Sequence, residues 1–277
     1  VRPRGGAVGE GRERAQERCG LASATSSTMM AHYLATYSAW VLLALAPSAA
    51  LAYSYTLPPA ALQQLHTDGL CVVPRYIEPQ LCEDLIEDMK MLREAGAFIS
   101  SGVGSNDKRR QEGSIRTSHQ CPLFPPPKPH LGNVAARREL YGLVDDLGYQ
   151  LDSTARPLHR PLNLELGYLH YPEGGHYGRH FDVPAHEVVD GRGRSVTQER
   201  RVSFLLYLNT GWSGKGYGGE LRVHEPLDPA ESAQRKALGH RGFNVEISSD
   251  PVRPIRADVE PEGGTLVCFY SDSVEHE

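Results

Sequence analysis

Apolar positions recur at helical spacing in the N-terminal half of the chain and gather into short continuous runs after Leu164. Leu81, Leu85, Ile86, Met89 and Leu92 fall on one face, with Pro79 in the first turn and Gly96 just past the end, which predicts a long amphipathic helix. A second helix is predicted from about Ala135 to Leu151, striped by Leu140, Val144, Leu147 and Leu151. Ahead of both, Ala60 to His66 reads as a short helix closed by Asp68-Gly69, and Leu70-Cys71-Val72-Val73 as a buried strand. Strands are predicted at Arg201–Asn209, Gly218–Val223 and Gly263–Tyr270. Polar, Gly-rich 99–120, proline-rich 122–129, 184–199 and 225–257 are expected to be loops.

The N-terminal segment has a different texture. Residues 1–28 are rich in Arg, Gly and Glu without a hydrophobic period, as in a disordered or non-native extension. Within 29–52, the apolar run Trp40–Ala46 leads through Pro47 to the small-residue site Ala50-Leu51-Ala52, which predicts a cleaved secretory signal. No Lys or Arg lies between Met29 and that run, and a membrane anchor over 37–52 is the alternative. The stretch is interrupted and short of the ~20 apolar residues that a span requires, which favours cleavage. Destination is then the endoplasmic reticulum or the outside of the cell. What remains divides into a helical support region, 53–157, and a β-rich core, 158–277.

Bulk properties narrow the function. With 40% apolar and 23% charged residues the chain is of globular composition, and its net charge of -5 provides no broad positive field for nucleic acid. The cysteines Cys19, Cys71, Cys82, Cys121 and Cys268 form no C-x-x-C pair, which excludes a zinc ribbon or a thioredoxin-like motif. Cys268, inside Leu266-Val267-Cys268-Phe269, is expected to be a buried free thiol, while a disulfide among Cys71, Cys82 and Cys121 stays open.

Chemistry concentrates between Tyr168 and Asp182, expected as a strand, a glycine turn and a second strand. Residues two apart on a strand share a face, so His180 and Asp182 can converge on one ion. His66-Thr67-Asp68 has the same H-x-D spacing but sits where a helix gives way to a turn, and helical residues two apart diverge by roughly 200°. Downstream of His180, several strands lead through Ser271-Asp272 to His276. Two histidines and one carboxylate on one side of an ion form the facial triad of non-haem Fe(II) oxygenases, whereas zinc is more often closed or tetrahedral. His170, His176 and His186 would close the positions such chemistry needs open, and are placed outside the ligand set. His224 and His240 lie in or beside an insertion and carry no such pattern, and Lys108-Arg109-Arg110 is expected to be a solvated loop.

The stretch from Leu62 to Glu277 resembles the prolyl 4-hydroxylase superfamily of Fe(II)/2-oxoglutarate-dependent dioxygenases. Its elements Tyr171-Pro172, His180-Phe181-Asp182, Tyr207-Leu208-Asn209, Gly218-Gly219-Glu220-Leu221 and Ser271-Asp272…His276-Glu277 fall in family order. The early segment, His66–Val73 with the helix ending Arg93–Phe98, looks most like the oxygen-sensing prolyl hydroxylases. The resemblance implies an α+β chain with a double-stranded β-helix, or jelly-roll, core braced by N-terminal helices. It also implies His180, Asp182 and His276 as iron ligands and Tyr207 as a hydrogen-bond donor to the distal carboxylate of 2-oxoglutarate, with Tyr171 lining the same pocket. For both tyrosines, aromatic core packing is the competing reading.

The activity so implied is hydroxylation of an unactivated C–H bond, with release of succinate and carbon dioxide and with L-ascorbate keeping the iron ferrous. A proline-containing peptide or protein is the expected substrate, a small molecule the alternative, and a membrane is involved only if the signal is uncleaved. The family pairs the buried distal carboxylate with a Lys or Arg beyond the second histidine, since such a charge is costly unpaired. That residue and the closing strands are expected beyond Glu277. Two other readings stay open: an inactive jelly-roll module that binds peptide or glycan, and a cupin-like metal enzyme that does not use 2-oxoglutarate.

Overall fold

The computed structural model describes residues 55–102, 113, 115–152, 164–182, 185–189, 193–212, 218–237 and 252–277, all within the unit Ser54–Glu277. The expected extension and signal lie outside the described residues, as do Lys108-Arg109-Arg110 and His240. No helix among the described residues is long and apolar enough to cross a membrane.

Helices form where the apolar stripes predict. Pro59 begins α1 (Pro59–Asp68), where its missing N–H is no loss, and Gly69 N–H returns to the Leu65 carbonyl to close it. The longer α2 (Pro79–Glu94) buries Leu81, Leu85 and Leu92. It packs against α3 (Val134–Asp152), which buries Leu140, Leu143, Val144 and Leu147, while the Asn133 side chain accepts from Ala136 N–H at its start.

All strand pairings among the described residues are antiparallel. One sheet has the order β1-β10-β7, from Leu70–Val73, Leu266–Tyr270 and Val202–Leu206, and a second has the order β2-β3-β4, from Ile99–Ser100, His119–Pro122 and Gly167–His170. Two further pairs are β5 (Ala185–Val189) with β6 (Ser195–Glu199), and β8 (Leu221–His224) with β9 (Ile255–Val259).

Strand β10 is the spine. It is buried along its whole length, and its alternation divides the core in two. Leu266, Cys268 and Tyr270 join the helices, while Val267 and Phe269 join Leu70, Leu221, Val223, Val259 and Val274 on the other face. A continuous apolar run is what a strand covered on both faces requires. Gly264 starts it, at φ +85°, where a Cβ would lie 2.9 Å from the Ile77 carbonyl oxygen. Cys71 stands opposite Cys268 in register, and all four described cysteines are buried and free.

Several segments expected as loops carry structure. Residues 99–120 contain β2 and the start of β3, and 184–199 folds into the β5–β6 hairpin. These strands are short and polar, so they lack the apolar alternation by which a strand is read from sequence. Within 225–257 lies α4 (Pro229–Ala237), whose face is charged rather than apolar and whose first turn is held by Asp228 accepting from Glu231 N–H at 2.8 Å. The Asp228-Pro229-Ala230-Glu231 spacing is a start signal that the apolar period does not register. His224 ends β8 beside this segment and is buried.

Between α2, α3 and β4 sits one buried ion pair. Asp88 Oδ2 lies 2.9 Å from Arg137 Nε and accepts from the Tyr168 hydroxyl at 2.9 Å. Burial pushes the Asp88 carboxyl up, with Tyr168 and Arg137 acting against it. The guanidinium also donates to the carbonyls of Leu131 and Lys128. Gly132, at φ +84°, leaves the space that Asp88 fills, since a Cβ there would overlap Asp88 Oδ1. Breaking a buried pair by removing one partner costs about 3–5 kcal/mol. Arg137→Ala is therefore expected to lower the urea unfolding free energy by about that amount, and a loss below ~1 kcal/mol would show the pair to be dispensable.

Candidate metal centre

The segment after β4 is less regular than the expected second strand. Pro172–Gly175 makes the turn, and Tyr177 and His180 then join the fold through single bridges, to Arg116 and His276. His180 and His276 exchange both backbone bonds, His180 N–H to His276 O at 2.8 Å and His276 N–H to His180 O at 2.9 Å. A shared face for His180 and Asp182 survives without a regular strand. Donor atoms of His180, Asp182 and His276 all lie within 4.8 Å of one another, a group able to hold a metal ion.

The imidazoles are oriented for that task. His180 Nδ1 lies 2.9 Å from the Gly178 carbonyl oxygen and His276 Nδ1 3.2 Å from that of Val274. A carbonyl only accepts, so each Nδ1 carries the proton and each Nε2 is left with a lone pair. Such outer contacts fix tautomer and ring orientation in metal sites. The Tyr177 ring stacks on His180 with centroids 3.6 Å apart, the Arg116 guanidinium covers Tyr177 at 4.4 Å, and Phe269 packs on His276 at 4.7 Å.

Asp182 is held at both oxygens. Its Oδ1 is 3.8 Å from His180 Nε2 and 3.8 Å from Arg200 Nη1, while Oδ2 accepts a short hydrogen bond from Ser203. Burial disfavours the carboxylate, but His276, His180 and Arg200 with the Ser203 bond outweigh it and keep the pKa below its ordinary value. Burial lowers both histidines, His180 to about 3, with His276 adding to the effect on His180. Neutral imidazoles and an ionised carboxylate are the states a metal needs.

Tyr171 stands close enough to Tyr207 to add to the upward shift that burial gives the Tyr207 hydroxyl. Tyr171 is 41% exposed, and its hydroxyl is hydrogen-bonded by Ser118 and Arg116. Burial raises Tyr207, so its hydroxyl is a neutral donor.

Three other described histidines are engaged elsewhere. His66 Nδ1 is 3.4 Å from the Tyr270 hydroxyl, His170 Nε2 is 2.9 Å from Arg93, and His176 meets Thr117. The side chain of His186 lies outside the described residues. Sequence reasoning missed Ser203, Tyr177, Arg116 and Arg200. Ser203 had a visible sign, as the one hydroxyl within Val202-Ser203-Phe204-Leu205-Leu206.

Residues 166–277 match the family model described as the 2OG-Fe(II) oxygenase superfamily. This part of the chain is therefore similar in sequence to members of that superfamily. Among solved structures, a prolyl-4-hydroxylase from Pseudomonas putida aligns over 78% of this chain and 88% of its own, with 22% identity and a TM-score of 0.52. A prolyl hydroxylase from Trichoplax adhaerens, in complex with a hypoxia inducible factor oxygen degradation domain peptide fragment, aligns over 78% of this chain and 80% of its own, with 19% identity and a TM-score of 0.53. No curated protein sequence gives a match. At these identities the likeness is one of fold. The superfamily that this model describes uses Fe(II) and 2-oxoglutarate, and the donor set here would suit that metal: two imidazole nitrogens and one carboxylate oxygen.

Without metal, the two buried imidazoles make the fold acid-sensitive. Unfolded histidine takes up a proton near pH 6.5, whereas folded His180 resists protonation down to about 3, so between those two pH values the unfolded state binds more protons and stability falls as the pH drops. The urea midpoint of the metal-free protein is expected to fall between about pH 7.5 and pH 5.5. A flat midpoint across that interval would contradict the burial of neutral imidazoles.

Proposed function

We propose that the chain is an Fe(II)- and 2-oxoglutarate-dependent dioxygenase that hydroxylates a peptidyl proline, built on a double-stranded β-helix. The observation that carries this reading is the convergence of His180, Asp182 and His276 with both Nδ1 atoms already engaged, which aims the three metal-binding atoms at one point. His180 and His276 would each give Nε2 and Asp182 would give Oδ1. Bound there, iron with 2-oxoglutarate and dioxygen supplies the C–H oxidation, releasing succinate and carbon dioxide.

The remaining steps belong to the chain's own residues. Tyr207 offers a neutral hydroxyl to the distal carboxylate of 2-oxoglutarate, and Tyr171 lines the same space with its hydroxyl tethered to Ser118 and Arg116. Phe269 and Tyr177 flank the two histidines and exclude water from their faces. The half-exposed Tyr171 marks the open side, where a peptide would enter. A peptide substrate is supported by the Trichoplax adhaerens neighbour, which holds one. Ascorbate would serve as reductant for iron oxidised in unproductive turnover.

The test is decarboxylation of 2-oxoglutarate by the Fe(II)-loaded protein, with His180→Ala as control. Succinate formation is expected to disappear in the variant, and undiminished turnover would remove His180 from the ligand set. Hydroxylation of proline-containing peptides, read by the added oxygen mass, then separates a peptide hydroxylase from one acting on small molecules. We further infer entry into the secretory pathway from residues 29–52, with 53–157 as support and 158–277 as the oxygenase core. Translation with microsomes should shorten the chain by cleavage after Ala52, and an unchanged mass would count against a cleaved signal.

A further inference from the structure

We propose that Ser203, backed by Ser271, is a positioning residue that holds Asp182 to one-oxygen coordination and so keeps enough of the metal's positions open for cosubstrate. The inference rests on the metal-site reading above and deepens it.

A carboxylate beside a hard dication can bind through one oxygen or through both. An octahedral ion has about six positions. With one oxygen from Asp182 the triad takes half of them, leaving room for a bidentate 2-oxo acid and for dioxygen. With two oxygens from Asp182 one of those positions is lost. The choice between the two modes decides whether the site can be loaded in full.

The geometry makes that choice in advance. Asp182 Oδ1 faces His180 Nε2 at 3.8 Å, and Oδ2 is turned onto the Ser203 hydroxyl. An ionised carboxylate has no hydrogen to give, so the hydrogen in the Ser203–Asp182 bond comes from Ser203. Ser203 Oγ also lies 2.9 Å from Ser271 Oγ. With its own hydrogen committed, Ser203 accepts there and Ser271 donates. The order Ser271 to Ser203 to Asp182 therefore has one direction, and each bond polarises the next.

The hydroxyls are fixed by the sheet. Ser203 is in register with Phe269 on β10, and fully buried Ser271 follows two residues later with its N–H on the Arg201 carbonyl at 3.2 Å. Ser271 thus holds Ser203 from the segment that continues into His276. The relay spans β7 and the start of the His276 segment, and its end touches the oxygen that must stay off the metal.

A hydroxyl that merely satisfied a buried acceptor would have a different signature. Its loss would weaken the ligand, and metal affinity and cosubstrate affinity would fall together. Release of a bidentate carboxylate does something else: metal affinity holds or tightens while cosubstrate affinity drops.

The experiment uses Mn(II) as probe in the full chain, with wild type, Ser203→Ala, Ser203→Thr and Ser271→Ala. Water-proton relaxation counts exchangeable waters on bound Mn(II), and titration gives Mn(II) and 2-oxoglutarate affinities separately. In Ser203→Ala the bound waters are expected to fall by about one and 2-oxoglutarate affinity by about tenfold or more, with Mn(II) affinity unchanged or tighter. Ser203→Thr keeps the hydroxyl and should match wild type, and Ser271→Ala should shift both readouts the same way by less. Should Ser203→Ala not fold, wild-type values in Ser271→Ala would overturn the proposal. So would unchanged water count and cosubstrate affinity in folded Ser203→Ala, or a joint fall of both affinities. If the wild-type chain itself binds no Mn(II) at the triad, the proposed function fails, and this inference with it.

Discussion

The two backbone hydrogen bonds exchanged by His180 and His276 set the scale of everything around them. They join residues far apart in sequence at one antiparallel step, so the rings emerge side by side with centroids 4.2 Å apart. A site made from side chains alone would spend ordering entropy on each ligand separately. Here the backbone fixes the spacing, and the carbonyls of Gly178 and Val274 settle which nitrogen faces inward. Asp182 is then constrained by Ser203 at Oδ2, with the Arg200 guanidinium 3.8 Å from Oδ1.

That step is held in place by β10. One face of the strand is anchored in the helical core through Leu266 and Cys268, and the other carries Phe269 directly onto His276. Packing of α2 and α3 thus reaches the candidate metal centre through one strand. Charge plays a second supporting part behind the site. Glu275, next to His276, faces Arg179, next to His180, at 3.4 Å, and Arg253 at 3.8 Å. Burial raises the Glu275 carboxyl while these cations oppose the rise, so the carboxylate depends on them.

The sequence was most informative where burial dictates a period. The two long helical patterns and the run Leu266–Tyr270 are legible because apolar residues must line a buried face. His180 and Asp182 were legible by spacing, and the contrast with His66 held because a helical turn cannot bring two residues i, i+2 together. What escaped was polar and local. α4 has a charged face, β2 and β3 are short, and the β5–β6 hairpin is mostly polar, so none shows a hydrophobic period. Ser203, Tyr177 and Arg116 matter through contacts across strands or bridges, which neighbours in sequence do not announce.

Gly132 and Asp88 share a single volume. The carboxylate occupies the place where any other residue at 132 would put its first carbon, and the same carboxylate holds Arg137 and Tyr168. Neither position can vary alone: a side chain at 132 must evict the acid, and a shorter residue at 88 leaves a buried guanidinium without its counter-ion. As related sequences diverge, these positions should therefore change as a set, leaving a covariation among 88, 132 and 137.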